Sequence, residues 1–457
     1  MQKVVLSRRQ ALAGLSALGA CRPSPSVQES AAPVTPGTID TVVVVMMENR
    51  SFDHVFGSYS LKEGRTDVDG MTADMQNMAQ DGSPVTVSEA MIDCVDDPPH
   101  GWNSSHDQFN AGSNDGFVRE YQDSNPTAAP GEVMTYQTRL TMPISYALAD
   151  AYALPNRWFC SVMGPTWPNR FYGHAGSSSA LKGNSLPSEG GLYTFPTVWS
   201  KLDEIGVPWA YYYTDLPFLA LFENHIRPET AALLEDFFAD AEHGRLPPVV
   251  WIDPGFSFND DHPPHPVGRG QEFLASIYKA LANSPHWETC LLIITYDEHG
   301  GFFDHVPPPT TDDDYVEDGF DQLGFRIPVV VAGPYVKPGS SDVVFDNTSW
   351  LKFICDTYGI EPWTRRIAAA NSISVLLDTD RMARGEPMAP IELPDYVHDS
   401  EGEGEECEGQ GVLGPPGLPE HEEELGAAIR QLAPSLDRRN QANWLLAMIR
   451  EKARKPR

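Results

Sequence analysis

The feature that most constrains the fold is a short apolar run that ends abruptly in polar residues. Thr41–Met47 contains four consecutive valines and two methionines, and Glu48, Asn49 and Arg50 follow without a break. A run of this kind is typical of a strand buried on both faces of a parallel sheet. Open α/β sheets bind their ligands at the carboxyl ends of such strands. We therefore expect the chemistry at this point of the chain.

A second apolar run repeats this pattern near residue 300. Cys290–Tyr296 predicts another buried strand, and Asp297 and Glu298 follow it directly. Two adjacent carboxylates at the end of a buried strand repel each other unless a cation lies between them, which favours a metal site. Gly300 and Gly301 come next and are expected to let the backbone pass close to a ligand.

Further strand and helix patterns lie around these two runs and predict an α/β organisation. Strands are predicted at Trp209–Tyr213, Val249–Ile252 and 324–331, and helices at 197–205, 230–243, 271–284 and 348–358.

The charge balance excludes some classes of partner. The 457 residues carry 64 Asp and Glu against 32 Lys and Arg, a formal net charge of -32. Such a chain repels phosphate backbones, so we expect no nucleic-acid partner. It also repels anionic lipid surfaces unless something else anchors it.

The first residues predict an export signal that supplies such an anchor. Arg8 and Arg9 precede an apolar segment, 11–20, that is too short to span a bilayer, and the pair indicates twin-arginine export. Cys21 ends a lipobox-like sequence. We therefore predict a signal at 1–21, membrane association through a lipidated Cys21, and a periplasmic or cell-surface location. The alternative is an ordinary signal peptide in which Cys21 is incidental.

The composition changes again at both ends of the predicted domain. Residues 22–38, rich in Pro, Ser and Ala, predict a flexible tether. Residues 395–425 are a Gly- and Glu-rich acidic segment of low complexity, and 426–457 predict a terminal helix. Cys94, Cys160, Cys290, Cys355 and Cys407 show no zinc-binding spacing, and Cys290 is expected to be a core thiol.

Two other segments carry candidate functional residues whose roles the residues alone leave open. His100 and His106 lie in loop-like sequence. They are either functional residues or histidines of a surface loop. Thr166, between two prolines, is either a helix N-cap or a nucleophile at a helix start.

Five motifs together resemble the bacterial phosphoesterase family that contains non-haemolytic-type phospholipases C and a class of acid phosphatases. They are ENRSFDH at 48–54, HGWNSSHDQFNAG at 100–112, GPTWPNRFY at 164–172, DDHPP at 260–264 and TYDEHGGFFDHV at 295–306. The resemblance implies an alkaline-phosphatase-like α/β fold, a three-layer sandwich with a largely parallel central sheet. It also implies one catalytic domain, which we place at 39–390.

The resemblance also implies roles for individual residues. Thr166 corresponds to the family's nucleophile, and His100 and His262 correspond to active-site histidines. A divalent metal ion, whose identity the resemblance leaves open, is the implied cofactor. Its implied ligands are Glu48, Asn49, Asp297 and Glu298, whereas His305 corresponds to a structural position.

The implied function is metal-dependent hydrolysis of phosphoric esters by a phospholipase-C-like enzyme with a phosphothreonine intermediate. Its expected substrate is a phospholipid or a small phosphate ester. A broad-specificity acid phosphatase is the alternative, and a non-catalytic binding lipoprotein is a minor one. Trp102 and Trp167 either hold a choline headgroup by cation–π attraction or pack the pocket wall, which is the interpretation that we favour.

Overall fold

A computed structural model describes residues 37–398, apart from 91–94, 96, 188–191, 224, 226 and 228. The predicted signal, the predicted terminal helix and nearly all of the tether and of the acidic segment lie outside the described residues. So does Cys21. The structure therefore does not test the predicted signal, tether, acidic segment and terminal helix, nor the predicted limits of the catalytic domain.

The strands of the described chain range from two to seven residues. They are β1 (Thr41–Met47), β2 (Gln76–Met78), β3 (Pro84–Thr86), β4 (Ser88–Glu89), β5 (Thr135–Tyr136), β6 (Ala153–Pro155), β7 (Trp158–Phe159), β8 (Trp209–Tyr213), β9 (Ala231–Leu233), β10 (Val249–Asp253), β11 (Cys290–Tyr296), β12 (Val330–Ala332), β13 (Gly339–Ser341) and β14 (Phe345–Asp346).

The α-helices are mostly short and lie between the strands. They are α1 (Phe52–Phe56), α2 (Ser58–Glu63), α3 (Trp102–Phe109), α4 (Phe117–Ser124), α5 (Pro143–Ala151), α6 (Thr166–Ala175), α7 (Val198–Ile205), α8 (Leu234–Glu242), α9 (Val267–Ala282), α10 (Ser349–Tyr358), α11 (Arg365–Ala369) and α12 (Thr379–Arg384). Short 3₁₀ helices cover Asn110–Gly112, Glu132–Met134, Phe218–Leu221, Trp287–Thr289, Val316–Asp318 and Ile373–Leu376.

Eight strands form one central sheet in the order β13-β6-β12-β11-β1-β10-β8-β9. The pairs from β11 through β1, β10 and β8 to β9 are all parallel, whereas β12 is antiparallel to both of its neighbours. All residues of β1 and β11 are buried, as their apolar sequences predict. The predicted α/β fold with a largely parallel central sheet is therefore confirmed.

Helices cover both faces of this sheet. On one face, the Trp251 ring of β10 packs against His174 of α6 and Trp350 of α10, with ring centroids 4.2 and 5.6 Å apart. On the other face, the Tyr212 hydroxyl of β8 donates to Asp240 of α8 at 2.9 Å, and Ile294 of β11 lies beside α5. The result is three layers, with β1 near the middle of the central one.

Several predicted elements differ from those observed. Of the strand predicted at 324–331, only Val330 and Val331 lie in β12, because Arg326 is instead bound to buried carboxylates. The helix predicted at 230–243 begins only at Leu234, because Ala231–Leu233 extend the sheet as β9. The loop predicted around His106 is helix α3, and His100 lies just before it.

Two further predictions concern cysteines and membrane spans. Within the described ranges, no helix has the length and apolar composition that crossing a bilayer requires. Cys160, Cys290 and Cys355 are buried free thiols, so the prediction that Cys290 belongs to the core is confirmed. Cys94 and Cys407 lie outside the described residues.

Candidate active site

The register of β1 and β11 brings two polar segments together. Thr41 pairs with Cys290, and Met47 pairs with Tyr296, so both strands end at the same level of the sheet. The backbone N–H groups of Asn49 and Glu298 both donate to Asp297 Oδ1, at 3.0 and 2.7 Å. Glu48, Asn49, Asp297 and Glu298, the four predicted metal ligands, are therefore neighbours at one edge of the sheet.

The backbone at this edge depends on two unusual conformations. Asn49 has a φ of 58° and Gly300 a φ of 63°, both in the left-handed region. A Cβ atom on Gly300 would lie 2.1 Å from the Asn49 carbonyl oxygen. Gly300 thus allows the loop after β11 to touch the loop after β1. Gly301 similarly packs against Pro98 and Pro99, so both glycines allow close contacts within the protein. The predicted close approach of this backbone to a ligand stays a prediction.

Several oxygens of this cluster are buried without a hydrogen bond. Asn49 Oδ1, Asp297 Oδ2 and Glu298 Oε1 accept none. Since buried polar atoms are nearly always paired, these oxygens call for a ligand. Carboxylate and carboxamide oxygens are the donors that hard divalent cations prefer. The residues present therefore fit the divalent metal ion that was predicted.

One buried arginine that the sequence did not predict joins these carboxylates. The Arg170 guanidinium donates to Glu48 Oε1 at 3.0 Å and to Asp253 Oδ1 at 3.2 Å, and it lies 3.5 Å from Asp297 Oδ2. We call Arg170, Glu48, Asp253, Asp297 and Glu298 the Arg170 cluster. The sequence could have predicted Asp253, because this carboxylate ends strand β10 much as the other carboxylates follow β1 and β11.

Burial and mutual repulsion shift the acidity of these carboxylates. Burial raises the pKa of Glu48 well above its usual range, although the Arg170 charge lowers it, and neighbouring carboxylates raise it further. Burial likewise raises the pKa of Asp297, and it raises the pKa of Glu298 to about 8. One arginine thus leaves the charge of the cluster incompletely balanced, and a bound cation would favour its ionised form.

Thr166 is the first residue of α6. Pro165 is the N-cap, and the Thr166 side chain makes no capping hydrogen bond, so the N-cap interpretation is wrong. Its Oγ1 is buried and has no hydrogen-bond partner. Residues four apart lie on the same side of a helix, which puts Thr166 on the face of Arg170. The Thr166 hydroxyl therefore lies at a helix N-terminus, one helical turn before the arginine that contacts the carboxylates of the Arg170 cluster.

The two predicted histidines lie close together. Their ring centroids are 5.7 Å apart. Nδ1 of His100 donates to the Pro98 carbonyl and Nδ1 of His262 to the Pro263 carbonyl, each at 2.7 Å. His100 Nε2 accepts from Asn49 Nδ2 at 3.3 Å. In the neutral form of each ring, Nε2 therefore carries the lone pair that takes part in proton transfer.

Asp97 is a further residue that the sequence analysis missed. It forms a group with His100 and His262 in which each residue offers one possible ligand atom, and these three atoms lie within 4.8 Å of one another. This spacing can also hold a metal ion. Asp97 Oδ1 lies 3.6 Å from His100 Nδ1. Asp97 precedes His100 by three residues, with two prolines between them. This spacing alone did not predict that the two side chains would lie together, because no periodic element links them.

The two tryptophans near the site differ in exposure. Trp167 is fully buried, with its ring against Phe171 and Phe218, so it packs the wall as expected. Trp102 is only half-buried and lies against His106 and Phe320.

A second buried ion cluster lies behind the loop that carries Glu298. Arg326 pairs with Asp53 at 3.0 Å and with Asp304 at 2.9 Å, and His305 Nδ1 lies 2.7 Å from Asp53 Oδ2. We call Asp53, Asp304, His305 and Arg326 the Arg326 cluster. It joins the segment after β1 to the segment after β11, which agrees with the structural role predicted for His305.

Residues 39–361 match the sequence model of the Phosphoesterase family. The chain belongs to the Phosphoesterase family. This match covers more than half of the chain, and it confirms the membership that the five motifs predicted.

Curated relatives carry phospholipase names. Non-specific phospholipase C1 of Arabidopsis thaliana is 33% identical over 66% of this chain and 62% of its own length. Phospholipase C B of Mycobacterium tuberculosis is 31% identical over 70% of this chain and 74% of its own length. The chain spans less than two thirds of the length of the first of these relatives. The names of both relatives agree with the predicted phosphoric ester hydrolase.

Solved structures show a more distant similarity. One is a protein in the alkaline phosphatase superfamily from Vibrio parahaemolyticus, which is 11% identical and has a TM-score of 0.41 over 77% of this chain and 76% of that chain. Another is a 2-O GAG sulfatase, BT1596, which is 15% identical and has a TM-score of 0.36 over 56% of this chain and 71% of that chain.

Proposed function

We propose that this protein is a phospholipase-C-like phosphoesterase that uses Thr166 as its nucleophile and depends on a divalent metal ion. The observation that carries the proposal is the buried, unpaired Thr166 hydroxyl at the start of α6. It lies one helical turn from Arg170, which contacts Glu48. A nucleophile, helix N–H groups and a carboxylate cluster thus occur together, as phosphoryl transfer requires.

Phosphate esters resist hydrolysis because their negative charge repels nucleophiles, so catalysis depends on neutralising charge and on positioning. Glu48, Asn49, Asp297 and Glu298 would hold the metal ion through their oxygens. When bound, a divalent cation supplies positive charge for the phosphoryl oxygens and lowers the pKa of a nearby hydroxyl. Arg170 holds Glu48 and Asp253 in place from the nucleophile's own helix.

The residues of the chain divide the reaction between them. Thr166 loses its hydroxyl proton to water, its Oγ1 attacks phosphorus, the bond from phosphorus to the leaving alcohol breaks, and a phosphothreonine remains. His262 or His100, protonated at Nε2, gives its proton to the leaving oxygen. A water molecule then attacks the phosphothreonine and releases the phosphorylated headgroup, or phosphate from a monoester, and regenerates the Thr166 hydroxyl.

The nucleophile is tested by removing its hydroxyl. Thr166→Ala should lower turnover by at least about a thousandfold. Thr166→Ser is the matched control, because it retains a hydroxyl at the same position, and it should keep more activity than the alanine variant. A folded Thr166→Ala protein with a tenth or more of wild-type turnover would contradict the proposal.

The substrate class is tested with two chromogenic esters, p-nitrophenyl phosphate and p-nitrophenyl phosphorylcholine, each with and without chelator. Cleavage of the diester that chelator abolishes would support a metal-dependent phospholipase C. Cleavage of the monoester alone would identify an acid phosphatase with the same nucleophile. Undiminished activity after exhaustive metal removal would contradict the metal requirement.

We also propose that the chain is exported by the twin-arginine route and anchored by a lipid on Cys21. The proposal is supported by the Arg8-Arg9 pair and by the lipobox-like sequence before Cys21. Cys21→Ser should move the exported protein from the membrane fraction to the soluble fraction. Retention of that variant in the membrane fraction would contradict lipid anchoring.

A further inference from the structure

A half-buried aromatic surface lies beside the proposed nucleophile. The Trp102 ring packs against the rings of His106 and Phe320, with centroids 4.7 and 4.9 Å away. Trp102 follows His100 by two residues. A Cβ atom on Gly164, two residues before Thr166, would lie 3.4 Å from Trp102 Cε3. This surface is therefore in contact with the segment that carries the nucleophile.

An ammonium group already occupies this aromatic surface. Lys182 Nζ lies 4.4 Å from the centre of the Trp102 ring and 5.8 Å from that of Phe320. Both distances fall in the range of cation–π attraction. Two residues after Lys182, Asn184 Oδ1 accepts from the Trp167 backbone N–H at 2.8 Å. The loop of Lys182 is thus tied to the first turn of α6.

The charge of Lys182 is directed to solvent rather than to a carboxylate. The residue is exposed, and among the residues that the structure describes it forms no ion pair within 4.0 Å. An exposed, unpaired cation is unusual beside the site of a chain with a formal net charge of -32. A quaternary ammonium group that approached Trp102 would meet both an occupied ring face and a like charge.

We infer that Lys182 and Trp102 form a headgroup subsite that favours anionic headgroups and disfavours choline. The inference rests on the proposed function, because it names the substrate preference of the same site. The Lys182 ammonium attracts a second negative charge on the substrate, and the Trp102 ring holds that ammonium at the mouth of the site. Trp102 therefore influences substrate preference by positioning Lys182, and it does not bind choline itself.

The test uses three short-chain lipids that have the same acyl chains and headgroups of different charge. Dihexanoyl phosphatidylcholine, phosphatidylglycerol and phosphatidylinositol 4-phosphate carry a cationic, a neutral and an anionic headgroup. Release of dihexanoylglycerol measures cleavage of the same bond in all three. The kcat/KM of the wild type should rise along this series, and the differences should shrink in high salt because the contact is exposed.

Substitution of Lys182 should change this preference without abolishing activity. Lys182→Glu should lower the ratio of kcat/KM for the inositol 4-phosphate lipid to that for the choline lipid about tenfold, and Lys182→Gln about threefold. Lys279→Glu, the same charge change on an exposed residue of α9, is the control and should alter the ratio less than about twofold.

The outcomes separate the two proposals. If wild-type protein cleaves none of these lipids and neither nitrophenyl ester, the proposed function fails. If it cleaves the lipids but prefers choline, or if Lys182→Glu leaves the ratio unchanged, the headgroup inference fails and the proposed function stands.

Discussion

The Arg170 cluster and the Arg326 cluster are built from the same groups but are balanced differently. Each places one buried guanidinium among carboxylates that follow β1 and β11, and the Arg170 cluster also includes Asp253 at the end of β10. In the Arg326 cluster His305 adds a second cation, and every buried side-chain oxygen and nitrogen has a partner. In the Arg170 cluster one arginine serves several carboxylates, and Asp297 Oδ2 and Glu298 Oε1 accept no hydrogen bond.

The acidities of the two clusters differ accordingly. In the Arg326 cluster burial would raise the pKa of Asp53, but His305 and Arg326 outweigh it, and the pKa is lowered. Burial and the neighbouring Asp53 raise the pKa of Asp304 to about 6, although Arg326 opposes the shift, so the contrast with the Arg170 cluster lies in Asp53. In the Arg170 cluster burial prevails, and the pKa values of Glu48, Asp297 and Glu298 are all raised. A buried cluster that the protein balances by itself holds the fold together, whereas an unbalanced one is suited to bind a cation.

The largest effect should follow from removing the cation of the balanced cluster. Arg326→Leu leaves Asp53 and Asp304 buried without their guanidinium partner, which should lower the free energy of unfolding by about 3–5 kcal/mol. Urea denaturation measures this loss. Arg157→Leu is the control, because Arg157 pairs with Asp69 in a partly exposed contact, and it should cost less than about 1 kcal/mol. Equal losses of unfolding free energy in the two variants would contradict the conclusion that the Arg326 cluster stabilises the fold.

The next largest effect should be on activity rather than on folding. Asp297→Asn removes one negative charge from the unbalanced cluster and should lower kcat by about 10²–10³-fold. Asp53→Asn is the matched change in the balanced cluster and should lower stability while folded protein keeps most of its kcat. The test compares the steady-state rates of the two variants, corrected for the folded fraction measured by circular dichroism. A larger loss of kcat in Asp53→Asn than in Asp297→Asn would contradict the comparison.

A smaller effect concerns pH. The ion pair with Asp53 raises the pKa of His305 to about 10, although burial opposes the shift. Because this value lies above the unfolded value of about 6.5, the contribution of His305 is fully present below pH 6.5 and is lost as the pH rises through 10. His305→Gln should therefore destabilise the protein by about 1–3 kcal/mol at pH 6.5 and by much less above pH 10. A destabilisation that does not change with pH would exclude the ion pair as its cause.

The smallest effect should appear in protein stripped of divalent ions. There, Asp297→Asn should be more stable than the wild type by about 1 kcal/mol, because the substitution relieves repulsion at a functional site. The asparagine Oδ1 can still accept from the N–H groups of Asn49 and Glu298. Urea denaturation in chelator measures the difference. A variant that is clearly less stable than the metal-free wild type would show that Asp297 serves the fold.

Much of this arrangement was predictable because it follows from two buried strands. The runs Thr41–Met47 and Cys290–Tyr296 predict parallel neighbours, and the observed strands have these same limits. Parallel strands end at one edge, so Glu48 and Asp297 had to lie close together. The family motifs assigned roles to Thr166 and His100, which the residues alone had left open, and they added His262.

Other features depend on contacts between distant segments and were not predictable in the same way. Arg170 lies within a helical sequence, and only the packing of α6 on β1 brings it to Glu48. Residues 231–233 read as helix but pair with β8, because an open sheet edge was available there. Arg326 reads as part of a strand, but its binding to Asp304 and Asp53 takes precedence.

The most direct test of the central claim is the metal content of the protein. Wild-type protein would be dialysed to equilibrium against a mixture of magnesium, calcium, manganese and zinc, and bound metal measured by inductively coupled plasma mass spectrometry. We predict about one divalent ion per chain, lost in Asp297→Asn and in Glu298→Gln but retained in Asp53→Asn. No bound ion in an active wild type, or an ion lost in Asp97→Asn but retained in Asp297→Asn, would contradict this account.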